Sequence, residues 1–499
     1  MAVPKVVPAK RPTCGASLPV PPGVPQITCR YCQNVIHIEH KKAPPDVRPL
    51  GTPGAMPSRT LYVDPDAAKK AGRNVGCIIL VSVLIPILIP IVIGVGPWAV
   101  KSCKGAIKPF PVAYENNEEL EVSGNFEGTG PIVTSVGVNC KLHIKNAKLK
   151  GSTLIKTDAS NLTLTLDNVT VETAEPMIKT GSNLKVKVHG STLTSAGTVF
   201  DSDTNMDLQE LDSSTIESKG GVAIKSKHNL KVHAINAKIR GKRAAIDTDS
   251  SLEVTMKKAS EITASEGPAI KASSGLKLEA EGGKIDGAGG AIVTESGTSI
   301  TATGLALSSK ETTIRTTSGL KIDYTDGSIT SQAESAIDAD SGMDLTLINV
   351  KVNGVTTGIT SESGFKLKAS KKTRIVAVAT TGTGIVTTSG GEISLNDAAV
   401  EAGGKAFKGS VNNKIKLAQG ARMAGKKGGI ETQGNFELDG TGATVDGGGG
   451  PGISAGYSAR ISLKQGALKG TPALQFDRKP MSVELDGTKV DGEQKIPAR

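Results

Sequence analysis

The sequence predicts an all-β fold, a parallel β-helix solenoid of about 16 coils with a 22–23-residue period. A single transmembrane helix and a small cysteine-containing hairpin precede it. Three observations support this prediction. Similar units recur from about residue 106 to residue 499, apolar and polar residues alternate within each unit, and residues 74–100 carry no charge.

The repeat unit is typified by AIKASSGLKLEAEGGKIDGAGG, Ala269–Gly290. Each unit opens on an apolar residue, at intervals of 21 to 26 residues that are mostly 22 or 23. Repetition at a fixed period is typical of solenoids, because one unit cannot bury its own apolar face. The opening residues are Val133, Ile155, Ile178, Phe200, Ile224, Ile246, Ile270, Ile292, Ile314, Ile337, Ile359, Ile385, Phe407, Ile430, Ile453 and Leu474.

The spacing inside a unit indicates strands and not helices. Leu276 and Leu278 flank Lys277, which is the two-residue period of a β-strand. Pairs such as Gly282-Gly283 disfavour a helix. We therefore expect three short strands per coil. Coils stacked at about 4.8 Å would form a rod roughly 75 Å long.

The repeat pattern resembles the right-handed parallel β-helix family, the fold of pectate lyases and of many surface adhesins. The resemblance covers about 390 residues and concerns the pattern alone. Left-handed hexapeptide helices favour a stricter and shorter period, which argues against that alternative.

Residues 74–100, NVGCIILVSVLIPILIPIVIGVGPWAV, are predicted to form the transmembrane helix. At about 1.5 Å per residue this run can cross a hydrocarbon core of about 30 Å. Pro86, Pro90 and Pro97 lie within it, and membrane helices tolerate proline. A buried core helix rarely stays uncharged over such a length, and the position of the run disfavours a signal peptide.

Flanking charges predict the orientation of the span. Four basic residues precede it closely and three follow it, which favours a cytoplasmic N-terminus and an extracytoplasmic solenoid in residues 101–499. The basic residues are Arg59, Lys69, Lys70 and Arg73 before the span, and Lys101, Lys104 and Lys108 after it.

Residues 1–40 contain Cys14 followed by Gly15, as at the end of a first zinc knuckle. Cys29 and Cys32, which are separated by two residues, have the spacing of a second knuckle. The segment resembles a zinc ribbon, although Arg11 stands where the first cysteine belongs. The resemblance implies a zinc ion held by Cys14, Cys29 and Cys32, with His37 or His40 as the fourth ligand. A decayed ribbon without metal and a disordered tail are the alternatives.

Residues 41–73 are predicted to be a proline-rich linker, since residues 1–74 hold 13 of the 25 prolines. Residues 1–74 also carry 11 Lys/Arg against four Asp/Glu, whereas the chain from residue 106 carries 46 against 44. The solenoid is therefore close to neutral. No nucleic-acid partner is expected for it.

The residue after each opening position predicts a column of charges on the rod. If the coils stack in register, Lys and Asp alternate from Asp201 to Lys271. Paired carboxylates occur at Asp201/Asp203, Asp247/Asp249 and Asp338/Asp340, as in glycoside hydrolases. Because lysines separate the first two pairs and the third is several coils away, we expect a solvated charge ladder and no catalytic residues.

Other features favour the same interpretation. His143, His189, His228 and His233 are expected to be polar surface residues, and aromatic residues, which form platforms for sugars, make up only 3% of the chain. Pairing of Cys103 with Cys140 is left open.

Together these features predict a single-pass membrane protein of the cell envelope with a non-enzymatic, structural, adhesive or ligand-binding solenoid. The expected partners are the lipid bilayer and an unknown protein or glycan on the solenoid surface. One alternative is a polysaccharide-binding or polysaccharide-active protein. Another is a signalling or assembly factor that docks a cytoplasmic partner through the ribbon-like segment.

Overall fold

The computed structural model describes residues 26–28, 35–37, 110–113 and 115–497. The chain divides into two compact units, Met1–Trp98 and Ala99–Arg499. In the first unit, β1 (Gln26–Thr28) pairs in antiparallel fashion with β2 (Val35–His37).

The second unit is an all-β parallel solenoid of about 17 coils with a period of about 22 residues. This confirms the predicted fold class and period. The prediction of about 16 coils omitted one coil at the start, because Val112 pairs with Val133, the first opening residue that the sequence pattern identified. The solenoid begins with β3 (Val112–Ala113), β4 (Glu119–Ser123), β5 (Phe126–Glu127) and β6 (Val133–Ser135).

A typical coil contains one long bent strand and one short strand, instead of the three strands that we predicted. β18 and β19 (Ile270–Glu281 and Lys284–Gly287) are examples. The first two predicted strands are continuous because one left-handed residue, Gly275 at φ 68°, turns the chain while pairing with the neighbouring coils continues on both sides.

The long strands contain 11 to 14 residues. They are β7 (Lys141–Gly151), β9 (Thr163–Thr173), β10 (Ile178–His189), β12 (Phe200–Asp212), β14 (Val222–Ile235), β16 (Ala244–Lys257), β18, β20 (Ile292–Thr303), β22 (Ile314–Thr325), β24 (Ile337–Ile348), β26 (Thr357–Ser370), β31 (Lys405–Leu417), β33 (Gly428–Thr441) and β35 (Ile453–Lys464). In one coil the long strand is divided into β28 (Thr383–Ser389) and β29 (Glu392–Asn396).

The remaining strands are shorter. They are β8 (Ile155–Lys156), β11 (Thr192–Ser195), β13 (Thr215–Ser218), β15 (Lys238–Gly241), β17 (Glu261–Ala264), β19, β21 (Ala306–Ser309), β23 (Ser328–Ser331), β25 (Lys351–Gly354), β27 (Arg374–Ala377), β30 (Ala399–Ala402), β32 (Arg422–Gly425), β34 (Thr444–Asp446), β36 (Ala467–Lys469), β37 (Leu474–Phe476), β38 (Ser482–Asp486), β39 (Lys489–Asp491) and β40 (Gln494–Lys495).

The core is a set of continuous apolar columns. Ile246, Ile270 and Ile292 lie in register on successive coils and are fully buried. Leu278 lies in the same way between Val254 and Ile300. Stacking removes from water the apolar faces that a single coil would expose, which is the main stabilisation of the solenoid.

The predicted linker and transmembrane span, residues 41–73 and 74–100, lie outside the described residues. Within the described part of the chain, no helix has the length and apolar character needed to cross a bilayer.

Candidate functional site

The predicted charge column is formed on the outward face of the long strands. Asp247 pairs in register with Lys225 on one side and with Lys271 on the other. Arg315 pairs with Asp338 further along the rod. The expectation that opposite charges stack on neighbouring coils is therefore confirmed.

One of the paired carboxylates, Asp203, forms an ion pair with a lysine of the next coil. Lys227 Nζ lies 2.6 Å from Asp203 Oδ1 on the preceding coil. The hydrogen bond from Lys227 lowers the pKa of Asp203 and raises the pKa of Lys227. Asp203 is therefore a salt-bridged surface carboxylate, which is poorly suited to accept a proton from a substrate.

Two carboxyl groups of the column are partly buried. Burial raises the pKa of Asp247, although Lys271 and Lys225 act in the opposite direction. Burial likewise raises the pKa of Asp338. These residues lie on β16 and β24, which are separated by β18, β20 and β22 along the stack. They therefore do not form a common site.

The histidines differ in their surroundings. His228 Nδ1 lies 2.8 Å from Ser250 Oγ on the next coil, and His233 pairs in register with Thr255. No acidic side chain contacts either histidine in the described structure. These two are polar surface residues, as the sequence indicated.

His143 is not isolated, which corrects the expectation for this residue. Its Nε2 lies 2.5 Å from Asp167 Oδ2 on the following coil, and its Nδ1 lies 3.7 Å from Glu121 Oε2 on the preceding coil. Lys145 forms a second ion pair with Glu121 and lowers the pKa of that carboxyl group. We call Glu121, His143, Lys145 and Asp167 the histidine cluster.

A second histidine also has an acidic partner. His189 Nε2 lies 3.5 Å from Glu210 Oε2, and Lys187 Nζ lies 3.2 Å from the same oxygen. A β-bulge in β12 shifts the register next to this group. The early coils thus gather acidic, basic and imidazole groups on one face.

Two shallow grooves follow the ends of strands on neighbouring coils. One has a volume of about 460 Å³ and runs from Gly128 to Lys219, and the other has about 520 Å³ and runs from Glu217 to Asp286. They share Lys219 and form one line along the early and middle coils. The histidine cluster lines neither groove. Among the described residues, the histidine cluster and these two grooves therefore do not combine into one site.

The predicted zinc ligands Cys14, Cys29 and Cys32 lie outside the described residues. His37 ends β2, of which only the backbone is described. Among the residues that the structure describes, no group of three or more His, Cys, Asp or Glu side chains is arranged to hold a metal ion.

The cysteine pairing left open by the sequence involves one described residue. Cys140 is buried and forms no disulfide with another described residue, and its Sγ lies 3.0 Å from the carbonyl oxygen of Glu115. Its proposed partner Cys103 is outside the described residues.

Sequence reasoning missed the histidine cluster because it examined the histidines one at a time. The signal was present in the spacing. His143 follows Glu121 by 22 residues and precedes Asp167 by 24, which is one coil in each direction. Searching for acidic residues one period away would have identified the cluster.

Comparisons with known proteins give no relative: no family model, no curated protein and no solved structure matches the chain. The function must therefore be argued from the solenoid itself.

Proposed function

We propose that the chain is a membrane-anchored, non-enzymatic parallel β-helix protein of the cell envelope. The right-handed coil of the pectate-lyase-like family is the form we propose for the solenoid. It acts as a structural, adhesive or ligand-binding rod on the extracytoplasmic side. Residues 74–100 anchor it in the bilayer, and residues 1–73 lie in the cytoplasm.

The observation that carries this proposal is the continuity of the stack. About 17 coils pair in register, and among the described residues the histidine cluster does not coincide with the two grooves. Catalysis needs several groups within reach of one substrate atom. A rod needs only a continuous core and a solvated surface, and both are present.

The topology of the proposal is tested by proteolysis of intact cells, or of spheroplasts if the host has two membranes. Protease added outside is expected to remove the solenoid and to spare residues 1–73. An antibody against each part reports the fragments. Digestion of the N-terminal segment with retention of the solenoid would contradict the orientation.

The adhesive or ligand-binding role is tested by pull-down with the solenoid from residue 106 onward as bait, using protein that circular dichroism shows to be folded. Recovery of an envelope protein or glycan supports the role. Heat-unfolded bait controls for non-specific capture. Turnover of a recovered ligand by the folded bait would contradict the non-enzymatic assignment.

A polysaccharide-binding or polysaccharide-active protein is the second candidate, and the grooves that meet at Lys219 favour it. Together they form a linear surface of small and charged residues along which an extended polymer could lie. Binding to a glycan panel tests this candidate. Loss of binding in Lys219→Ala and Arg240→Ala, but not in the control Lys408→Ala on another face, would support it, whereas equal effects would not.

The zinc-ribbon-like segment supports the remaining alternative, a cytoplasmic docking role. The paired strands β1 and β2 are joined by residues 29–34, which include Cys29 and Cys32. In zinc ribbons the thiolate ligands occupy such connections between paired strands. Proximity labelling from the N-terminus tests the role, and labelling of membrane lipids and bulk proteins alone would argue against it.

A further inference from the structure

One outward column alternates in charge along the whole solenoid. Its members pair in register from coil to coil at the position that Lys277 occupies in β18. We call it the alternating column: Glu119, Lys141, Thr163, Lys185, Asp207, Lys231, Glu253, Lys277, Ser299, Lys321, Asp344, Lys366, Glu392, Lys414, Glu437, Arg460 and Ser482.

The alternation has a period of two coils. From Lys141 to Arg460 every second coil carries a basic residue at this position, and the coils between them carry an acidic or a hydroxyl residue. Two residues of like charge are never neighbours in the column. The other charged column, which contains Asp247, lacks this regularity because Lys156 pairs with Lys179.

Several neighbouring opposite charges of the column are in contact, although Lys277 also contacts Glu279 on its own strand. Glu253 lies between two lysines, with Lys231 Nζ 3.3 Å and Lys277 Nζ 3.8 Å from its carboxylate oxygens. Near the other end, Lys414 Nζ lies 2.9 Å from Glu437 Oε2. Opposite charges on neighbouring strands stabilise a sheet, and like charges directly opposite each other destabilise it.

The core column of opening residues provides little information about the order in which the middle coils stack. Successive coils open on the same buried side chain, as in Ile246, Ile270, Ile292 and Ile314. A segment that skipped its neighbour and paired with the next coil would still match isoleucine with isoleucine. It would, however, place Lys231 against Lys277, or Lys277 against Lys321.

We propose that the alternating column helps to set the stacking order of the coils by disfavouring the arrangements in which a skipped coil brings two basic residues opposite each other. Repulsion between like charges in the wrong pairing adds to the attraction between opposite charges in the correct pairing, and both favour the correct stacking order. A docking surface is a poorer explanation of the column, because Lys, Glu and Asp are depleted at protein interfaces.

The first test uses Ser299, a neutral member of the column between Lys277 and Lys321. In the full-length protein, Ser299→Glu should raise the urea midpoint of unfolding relative to Ser299→Gln, and Ser299→Lys should lower it. Both differences should shrink in 1 M NaCl, where the screening length is about 3 Å. Equal midpoints for the three variants at low salt would overturn the proposal.

The second test changes which coils are neighbours. Deletion of residues 337–358 removes the coil of Asp344 and brings Lys321 next to Lys366. Lys321→Glu should lower the urea midpoint of the full-length chain, where it faces Asp344. The same substitution should raise the midpoint of the shortened chain, where it faces Lys366.

Lys321→Gln controls in both chains for loss of the lysine. An effect of the same sign in the full-length and shortened chains would contradict the proposal. If the shortened chain does not fold, recovery of folding with Lys321→Glu but not with Lys321→Gln is the supporting result. Absence of recovery counts against it.

Discussion

Asn161 donates a hydrogen bond from its side-chain amide to Oδ1 of Asn139, one coil earlier, at 2.7 Å. Both residues are left-handed, with φ of 62° and 56°. Asn161 in turn accepts a hydrogen bond from Asn183 at 2.8 Å. Asparagine suits this corner because it tolerates the left-handed region and its amide can form ladders between stacked strands.

Asn161→Ala should destabilise the solenoid by about 1–3 kcal/mol, since it removes two hydrogen bonds and places in the left-handed region a residue that tolerates it less well than asparagine. Asn161→Gly loses the same hydrogen bonds but keeps the favoured backbone, so its loss should be smaller. Urea unfolding of the full-length variants measures both. Equal losses for Ala and Gly would show that the backbone conformation contributes nothing.

Leu278→Asp should break the stack near its middle. Leu278 is fully buried between Val254 and Ile300, and an unpaired charge there costs several kcal/mol. Leu278→Ile keeps the volume and should cost less than about 1.5 kcal/mol. Circular dichroism during thermal unfolding compares the two variants. Normal melting of Leu278→Asp would contradict the assignment of this column to the core.

Asp247 and Asp338 should lower stability at neutral pH, because burial raises the pKa of both above the ordinary value of 3.8. The folded state binds a proton at each carboxyl group more tightly than the unfolded chain does. Protonation therefore stabilises the fold below the ordinary pKa, and this contribution is lost as the pH rises through the raised pKa values. Asp247→Asn should therefore reduce the fall of the urea midpoint with rising pH just above pH 4. The change should stay below about 1 kcal/mol because the side chain is half-exposed. A larger fall of the urea midpoint with rising pH in the variant than in the native protein would contradict this prediction.

Much of the solenoid was predictable from spacing, because a coil repeats its inward residues at the period of the chain. Ile270 and Ile292 identified the stack, and the position after them identified Lys271 and its charged neighbours. The first coil was missed because its opening residue, Val112, lies among few other repeat signals. The merging of two predicted strands was missed because Gly275 and Asn183 look like turn residues in sequence, whereas in the structure each bends a strand that stays paired on both sides.

The histidine cluster was harder to predict, because its members come from three coils and share no local motif. Glu121, His143 and Asp167 are neighbours only once the register is known. The alternating column is likewise a property of register and not of any single repeat. Sequence patterns therefore predict the coils well but predict relations between coils only when residues one period apart are compared.

If the N-terminal segment binds zinc through Cys14, Cys29, Cys32 and a histidine, a peptide of residues 1–45 should retain about one equivalent of metal. Cys29→Ser should release the zinc and unfold the segment, because a structural metal site contributes folding free energy. His37→Ala and His40→Ala identify the fourth ligand. Elemental analysis that finds no zinc under reducing, metal-replete conditions would favour the decayed ribbon.

The central proposal, that the solenoid acts as a non-enzymatic rod, is tested most directly by single substitutions of its titratable surface residues in cells that lack the native protein. The account predicts that each variant melts normally and restores function, because no single outward side chain is indispensable. One variant that keeps its fold and melting temperature yet behaves like the knockout would contradict the claim. The residues to substitute are Glu121, His143, Asp167, Asp201, Asp203, His228, His233, Asp247 and Asp249.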